Sequence, residues 1–156
     1  MAARERRYAL DTNIYIRAFR DAEFNAALQV FHTSFAPWEH LSAVVVQELR
    51  AGARGAQARE LERYILSPFE RRGRVFTPSY AAWKEAGEVL AALIERKLID
   101  WRNVSRAFVN DVLLAVSCRE AGIVLVTDNI SDFERIARVL RFSFATVPAI
   151  LRGLPR

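Results

Sequence analysis

The sequence predicts a three-layer α/β/α sandwich built on a central parallel sheet, and three observations carry that expectation. Short apolar runs alternate along the chain with longer stretches whose apolar residues recur every three or four positions. One short run, Ile123 to Val126 (IVLV), contains no polar residue, as in a strand buried on both faces. Helix start and stop signals separate the two kinds of segment.

Arg7 to Leu10 (RYAL) is the first strand, and the Asp-Thr-Asn that follows is a turn and helix-start signal. Ile14 to Phe19 continues as a helix, and Glu23 to Phe35 has helical spacing. His40 to Ala43 is the second strand. It runs into a helix from Val44 to Gly52, where Gly52 and Gly55 mark the end. A further helix covers Ala56 to Leu66, and Arg74 to Phe76 forms a short strand. Thr77-Pro78 then places an N-cap beside a proline at the first helical position, opening a helix to about Lys97. Ser105 caps a long helix reaching Ala121, stopped by Gly122. After the IVLV strand come a helix from Asp132 to Leu140, a last strand from Phe142 to Val147, and a tail from Pro148 to Leu154. With no internal repeat, low-complexity tract or linker, the 156 residues are expected to form one domain, 1–156.

Composition removes several classes. Hydrophobic residues make up 52% and charged residues 26%, so the chain can build a core and is not a disordered polyelectrolyte. No run is long enough to span a membrane. The only cysteine, Cys118, has no partner for an internal disulfide, and the charged start MAARERRYAL lacks the apolar core of a signal peptide. The expected compartment is the cytoplasm. Lys84 and Lys97 are the only lysines, so the net charge of +5 is carried almost wholly by arginine. That balance suits a polyanionic partner such as RNA, although a solvated arginine-rich surface accounts for it equally well.

The acids are more informative. Asp11 follows the first strand and Asp128 follows the IVLV strand after Thr127, and parallel sheets gather ligands at the carboxyl ends of their strands. Asp111 shares a stripe with Val104, Phe108, Ala115 and Cys118, so it lies on a face that ought to be apolar, and Glu48 sits similarly one turn beyond Val44 and Val45. A buried carboxylate needs a cation, a partner or a proton, and a salt bridge to an arginine is the plainer answer for either residue alone. Two carboxylates about 5 Å apart repel by roughly 3 kcal/mol at an effective dielectric near 20, so a convergent cluster calls for a divalent cation. Oxygen-only ligands select Mg²⁺ or Mn²⁺, and His32, His40 and Cys118 show no zinc-ligand spacing.

Leu10–Asn13 (LDTN), Ser42–Gly52 (SAVVVQELRAG), Asn110–Asp111 and Leu125–Ile136 (LVTDNISDFERI) occur in that order, and together they resemble a PIN domain of the VapC-type toxins found in toxin–antitoxin pairs. The resemblance extends from Leu10 to about Val147. It implies a parallel sheet flanked by helices, an acidic Mg²⁺ site with Mn²⁺ as a substitute, endoribonuclease activity, a homodimer and an inhibiting cognate antitoxin. Residue by residue it makes Asp11, Glu48 and Asp111 the core acids. For the fourth it favours Asp132, with Asn129 in support, and holds Asp128 in reserve. Thr12, Asn13, Ser42, Asn110 and Thr127 look like hydroxyl and amide partners that orient the carboxylates, although the same residues serve equally as caps and Asx turns.

The implied reaction is hydrolysis of an RNA phosphodiester, with tRNA or rRNA as the substrate class. Arg17, Arg20, Arg50, Arg54, Arg102 and Arg106 adjoin the acids in sequence and are candidates for phosphate contacts. Tyr80, Trp83 and Trp101 are candidate stacking platforms or simply core. There is no GxGxxG, no P-loop and no plausible Ser–His–Asp or Cys–His set. A receiver domain would need an acidic pair beside the first strand and a lysine near the last ones; Glu5 lies too far upstream and both lysines fall mid-chain. A catalytically silent PIN-like module that binds RNA or protein is the remaining alternative.

Overall fold

The computed structural model describes residues 6–154, so Glu5 and most of the charged N-terminal stretch lie outside the described residues, as do the last two of the expected 1–156 domain. Five parallel strands form the central sheet, with helices on both of its faces: the α/β/α sandwich that the alternating pattern predicts. The strands are β1 (Arg7–Leu10), β2 (Glu39–Ser42), β3 (Val75–Phe76), β4 (Ile123–Val126) and β5 (Phe144–Ala145), in the spatial order β3-β2-β1-β4-β5. The chain therefore works outward from β1 to one edge, then returns to the other side of β1 as β4. That reversal opens a crevice between the carboxyl ends of β1 and β4, the place where such sheets bind ligands. The register there is tight: Leu10 pairs with Val126, and the Asp11 amide donates to the Val126 carbonyl at 2.8 Å.

The helices are α1 (Thr12–Arg20), α2 (Ala22–Phe35), α3 (Ala43–Gly52), α4 (Gly55–Leu61), α5 (Ser67–Arg71), α6 (Tyr80–Glu95), α7 (Arg106–Ala121), α8 (Ile130–Ala137) and α9 (Val147–Arg152). Their caps are local and legible. Asp11, Asp21, Ser42 and Ser105 each accept a backbone N–H in the first turn of α1, α2, α3 and α7. Gly122 ends α7 in the left-handed conformation, φ 64°, which glycine adopts without strain.

Five expectations need correction. The helix expected over Ala56–Leu66 does not stop there. Glu62–Leu66 is a π turn, with the Ser67 amide donating to the Glu62 carbonyl, and the chain stays helical to Arg71. The wider turn accommodates Pro68, which has no N–H to give the helix. Ser79, not Thr77, caps α6 by accepting the Ala82 amide at 3.0 Å, leaving residues 77–79 to cross from the sheet to the helical layer. The helix expected from Asp132 starts at Ile130, with Asn129 in the cap position, so Asp132 belongs to the first turn. The last strand pairs over Phe144–Ala145 alone. The expected tail is α9: Thr146 caps it, Pro148 sits in its first turn, and it packs on α2.

The core fills both sides of the sheet. Tyr8, Phe31 and Phe35 make one aromatic group, and Phe133, Phe142 and Phe144 another. α7 is the most deeply placed helix. Residues 111–118 are buried without interruption, so it is enclosed all round rather than along the single stripe its apolar spacing suggests. Among the described residues no helix is long and apolar enough to cross a membrane.

Candidate active site

β1 ends at Leu10, and the next residue, Asp11, is both the cap of α1 and the first acid of the crevice. Its Oδ1 accepts the Thr12 amide at 2.8 Å. Its Oδ2 accepts from Asn13 Nδ2 at 2.9 Å and from the Thr127 hydroxyl at 2.7 Å. Thr127 is fully buried just past β4, and its Oγ1 also accepts from Asn13 Nδ2 (3.2 Å) and from the Asn129 amide (3.0 Å). The Asn13 carbonyl in turn accepts the Asp128 amide at 3.2 Å. The ends of β1 and β4 are thus tied by a polar network whose centre is one carboxylate.

Helices bring the other acids. Glu48, half-buried on α3, receives the Thr12 hydroxyl on Oε2 and Asn110 Nδ2 on Oε1 at 3.0 Å. Asp111 sits beside Asn110 on α7 and is 8% exposed. Asn129 Nδ2 donates to Asp111 Oδ2 at 3.2 Å and to Asp132 Oδ2 at 3.0 Å, so one amide bridges two carboxyl groups. The structure therefore gathers Asp11, Glu48, Asp111 and Asp132, with Thr12, Asn13, Asn110, Thr127 and Asn129 as the groups that hold them. Two residues stand apart. Ser42 Oγ serves the Val44 amide as a cap. Asp128 points out of the crevice to Arg17 Nη1, 3.0 Å away. Alternation explains the latter: Thr127 and Asn129 face inward, so the residue between them faces out.

Electrostatics mark the cluster. Burial raises Asp111 to a pKa of about 8, and the charges of Asp11, Glu48 and Asp132 push the same way, opposed only by the Asn129 hydrogen bond. Burial also raises Asp11, to about 6, with Glu48 adding to the rise while Thr127, Thr12 and Asn13 offset it. Among the described residues, no cationic side chain pairs with Asp11, Glu48 or Asp111; Arg135 lies 3.7 Å from Asp132 and its guanidinium covers the Phe108 ring. Asp132 and Arg135 are three residues apart on α8, a spacing at which helical side chains meet.

Whether these residues suit a hard divalent cation is a question of donor chemistry. All the charged donors are oxygen, they are incompletely neutralised, and Asp111 stays partly unpaired. Among the described residues no three acids, histidines or cysteines are grouped tightly enough to form a preformed protein cage. Mg²⁺ does not require one, because it keeps several waters and binds through one or two carboxylates. The fit is to a hydrated ion. Of the candidate phosphate contacts, Arg17, Arg20, Arg50, Arg54, Arg102 and Arg106 are all exposed; Arg50 reaches Glu62 at 3.6 Å and Arg54 folds back onto the Ala51 and Ala53 carbonyls. A half-open cavity of about 440 Å³ lies elsewhere, between α1, α2 and residues 64–72, and contains none of these acids.

The PIN domain family model matches residues 8–139, which includes every residue of the acidic crevice. The chain belongs to the PIN domain family. Solved structures agree on the fold of this PIN domain. VapBC2 from Rickettsia felis, bound to a DNA fragment from their promoter, matches at 22% identity over 89% of this chain and 97% of that one, with a TM-score of 0.63. DNA-bound VapBC from Salmonella typhimurium matches at 21% identity over 91% and 98%, TM-score 0.69. VapBC-1 from nontypeable Haemophilus influenzae matches at 23% over 90% and 98%, TM-score 0.65. Among curated proteins there is no significant match.

Proposed function

We propose that this PIN domain is a Mg²⁺-dependent endoribonuclease and the toxin of a VapBC-type pair, a cytoplasmic homodimer of 1–156 domains that is held in check by a cognate antitoxin. The observation that carries the reading is the convergence of Asp11, Glu48, Asp111 and Asp132 in the β1–β4 crevice with amides and hydroxyls, rather than arginines, as their main partners. The VapBC likenesses support the toxin role and the antitoxin partner.

In this reading Asp11, Glu48, Asp111 and Asp132 hold the cation, Mg²⁺ or Mn²⁺, and the neutral donors set their directions. When bound, the ion lowers the pKa of water at the site and stabilises the charge that develops on the phosphodiester. The Thr127 hydroxyl and Asn13 amide fix the Asp11 carboxylate against the sheet; Thr12 and Asn110 do the same for Glu48. Asn129 keeps Asp111 and Asp132 from separating under their mutual repulsion. Exposed arginines, Arg17 beside Asp128 among them, attract the phosphate backbone of tRNA or rRNA and position it without reading its bases.

Cleavage of a tRNA and rRNA panel under a Mg²⁺ titration tests this. Activity should need Mg²⁺ or Mn²⁺, disappear in EDTA, and disappear in Asp111→Asn with the fold intact. Full activity after exhaustive EDTA treatment sinks the metal mechanism. RNA binding without cleavage at any Mg²⁺ concentration would favour the silent RNA-binding module instead.

A further inference from the structure

α8 brings an arginine to the crevice as well as an acid. Asp132 lies in its first turn and Arg135 three residues on, with Nη2 3.7 Å from Asp132 Oδ1. The guanidinium carbon of Arg135 sits 5.5 Å from the centre of the Phe108 ring. Phe108 is buried on α7, one turn before Asp111. Asp111 and Asp132 share the Asn129 amide, so Arg135 stands on the α7–α8 side of the same crevice. Among the described residues it is the only cationic side chain paired with an acid of the cluster.

That pairing is not what holds it. The 3.7 Å contact is longer than a hydrogen bond, and the side chains are 44% and 31% exposed, a setting in which an ion pair contributes little. Arg17, by contrast, closes on Asp128 at 3.0 Å. Arg135 is seated by the Phe108 ring, and attraction to a ring face consumes no N–H. Among the described residues its guanidinium donates no hydrogen bond. Its planar fork of donors matches two oxygens of one phosphate.

A phosphodiester in this crevice brings negative charge beside four carboxyl groups, and a cationic donor at the edge offsets that repulsion. We infer that Arg135, seated on Phe108, donates from its guanidinium fork to the non-bridging oxygens of the RNA phosphate next to the acids and positions it for cleavage. The inference rests on the nuclease reading above and adds a residue that touches the substrate.

Fluorescence anisotropy with a labelled mixed-sequence single-stranded RNA tests the contact without turnover, in an Asp111→Asn background. Adding Arg135→Gln should weaken binding about tenfold, as for the loss of a charge-assisted hydrogen bond. It should also lower the slope of log Kd against log salt by about 0.7, one phosphate contact on a single strand. Arg135→Lys keeps a point charge and should keep the slope. In the otherwise native chain both variants should lower kcat about tenfold or more, because an ammonium cannot match the fork. Circular dichroism confirms folding, and the rise in thermal midpoint on adding Mg²⁺ should match wild type. Unchanged Kd and slope in Arg135→Gln overturn the contact. A weaker Kd with an unchanged slope also overturns it, since Arg135 then acts only by supporting Phe108 and α8. Full kcat in Arg135→Lys overturns the role of the fork. A fall in slope with a wild type that cleaves no RNA sinks the nuclease reading and keeps Arg135 as a phosphate contact.

Discussion

Two buried carboxylates in this molecule meet opposite fates. Glu39, 4% exposed in β2, has both oxygens within 2.9 Å of His32 Nδ1. Asp111, 8% exposed on α7, has one neutral amide at 3.2 Å and three other acids around it. The first is a closed local arrangement and can serve stability alone. The second is held as the neutral acid up to about pH 8, and positive charge from outside the chain would favour its carboxylate. Burial by itself therefore does not mark a functional acid; a deficit of compensating donors does.

The comparison can be broken most sharply at Asp111. Asp111→Asn should lower RNA cleavage by about a hundredfold or more while raising the thermal midpoint of the metal-free protein, because folding no longer has to bury a carboxyl group that must take up a proton or ionise beside three acids. A variant that cleaves normally at matched Mg²⁺ would show that Asp111 is no more functional than Glu39.

Next in size is the contrast between Asp132 and Asp128. Asp132 shares the Asn129 amide with Asp111, whereas Asp128 is spent on Arg17. Asp132→Asn should therefore weaken Mg²⁺ binding and cleavage by about tenfold or more, a change that Asp128→Asn does not produce. Metal titration of both variants decides, and a larger loss at Asp128 reverses the assignment.

His32→Leu addresses the other carboxylate. It leaves Glu39 buried without its partner and should cost about 1–3 kcal/mol of stability in urea unfolding. Cleavage per folded molecule should not change. Loss of activity with unchanged stability would mean the pair belongs to the site.

The smallest expected effect is on pH dependence without metal. Asp111 and Asp11 titrate near 8 and 6 in the folded chain, above the usual carboxylate range. The folded state then binds more protons than the unfolded one between about pH 4 and pH 8, so stability is highest at the acid end of that window and falls as pH rises through it. Mg²⁺ should flatten the decline by binding only the folded, ionised cluster. Thermal midpoints from pH 5 to 8 with and without Mg²⁺ check this; a metal-free midpoint that rises with pH would contradict it.

Much of the architecture was legible in the sequence because it is local. Strand runs such as IVLV, the caps Asp11, Ser42 and Ser105, and the stop at Gly122 each depend on neighbours a few residues away. The misreadings come where a nonlocal demand intervened. Pro68 lies inside a helix that a π turn keeps going, and the tail from Pro148 becomes α9 against α2, despite a Thr146 cap signal already present in the chain. Asp132 as a helix start failed because Asn129 stood three residues earlier in the same role.

What the sequence by itself determined is the succession of elements and the odd chemistry of acids on apolar faces, since both follow from periodicity and residue type. Only the tertiary structure decided which of those acids meet. Glu48 and Asn110 are far apart in the chain and touch because α3 and α7 pack together beside the crevice; Asp111 and Asn129 touch because α7 feeds β4 into place next to β1. The same is true of Asp128, which an alternation of side chains sent to Arg17, and of Glu39, whose partner is the His32 imidazole of α2. A carboxylate's role depends on the charges and donors that surround it in space, and those are set by packing between segments that the chain itself keeps apart.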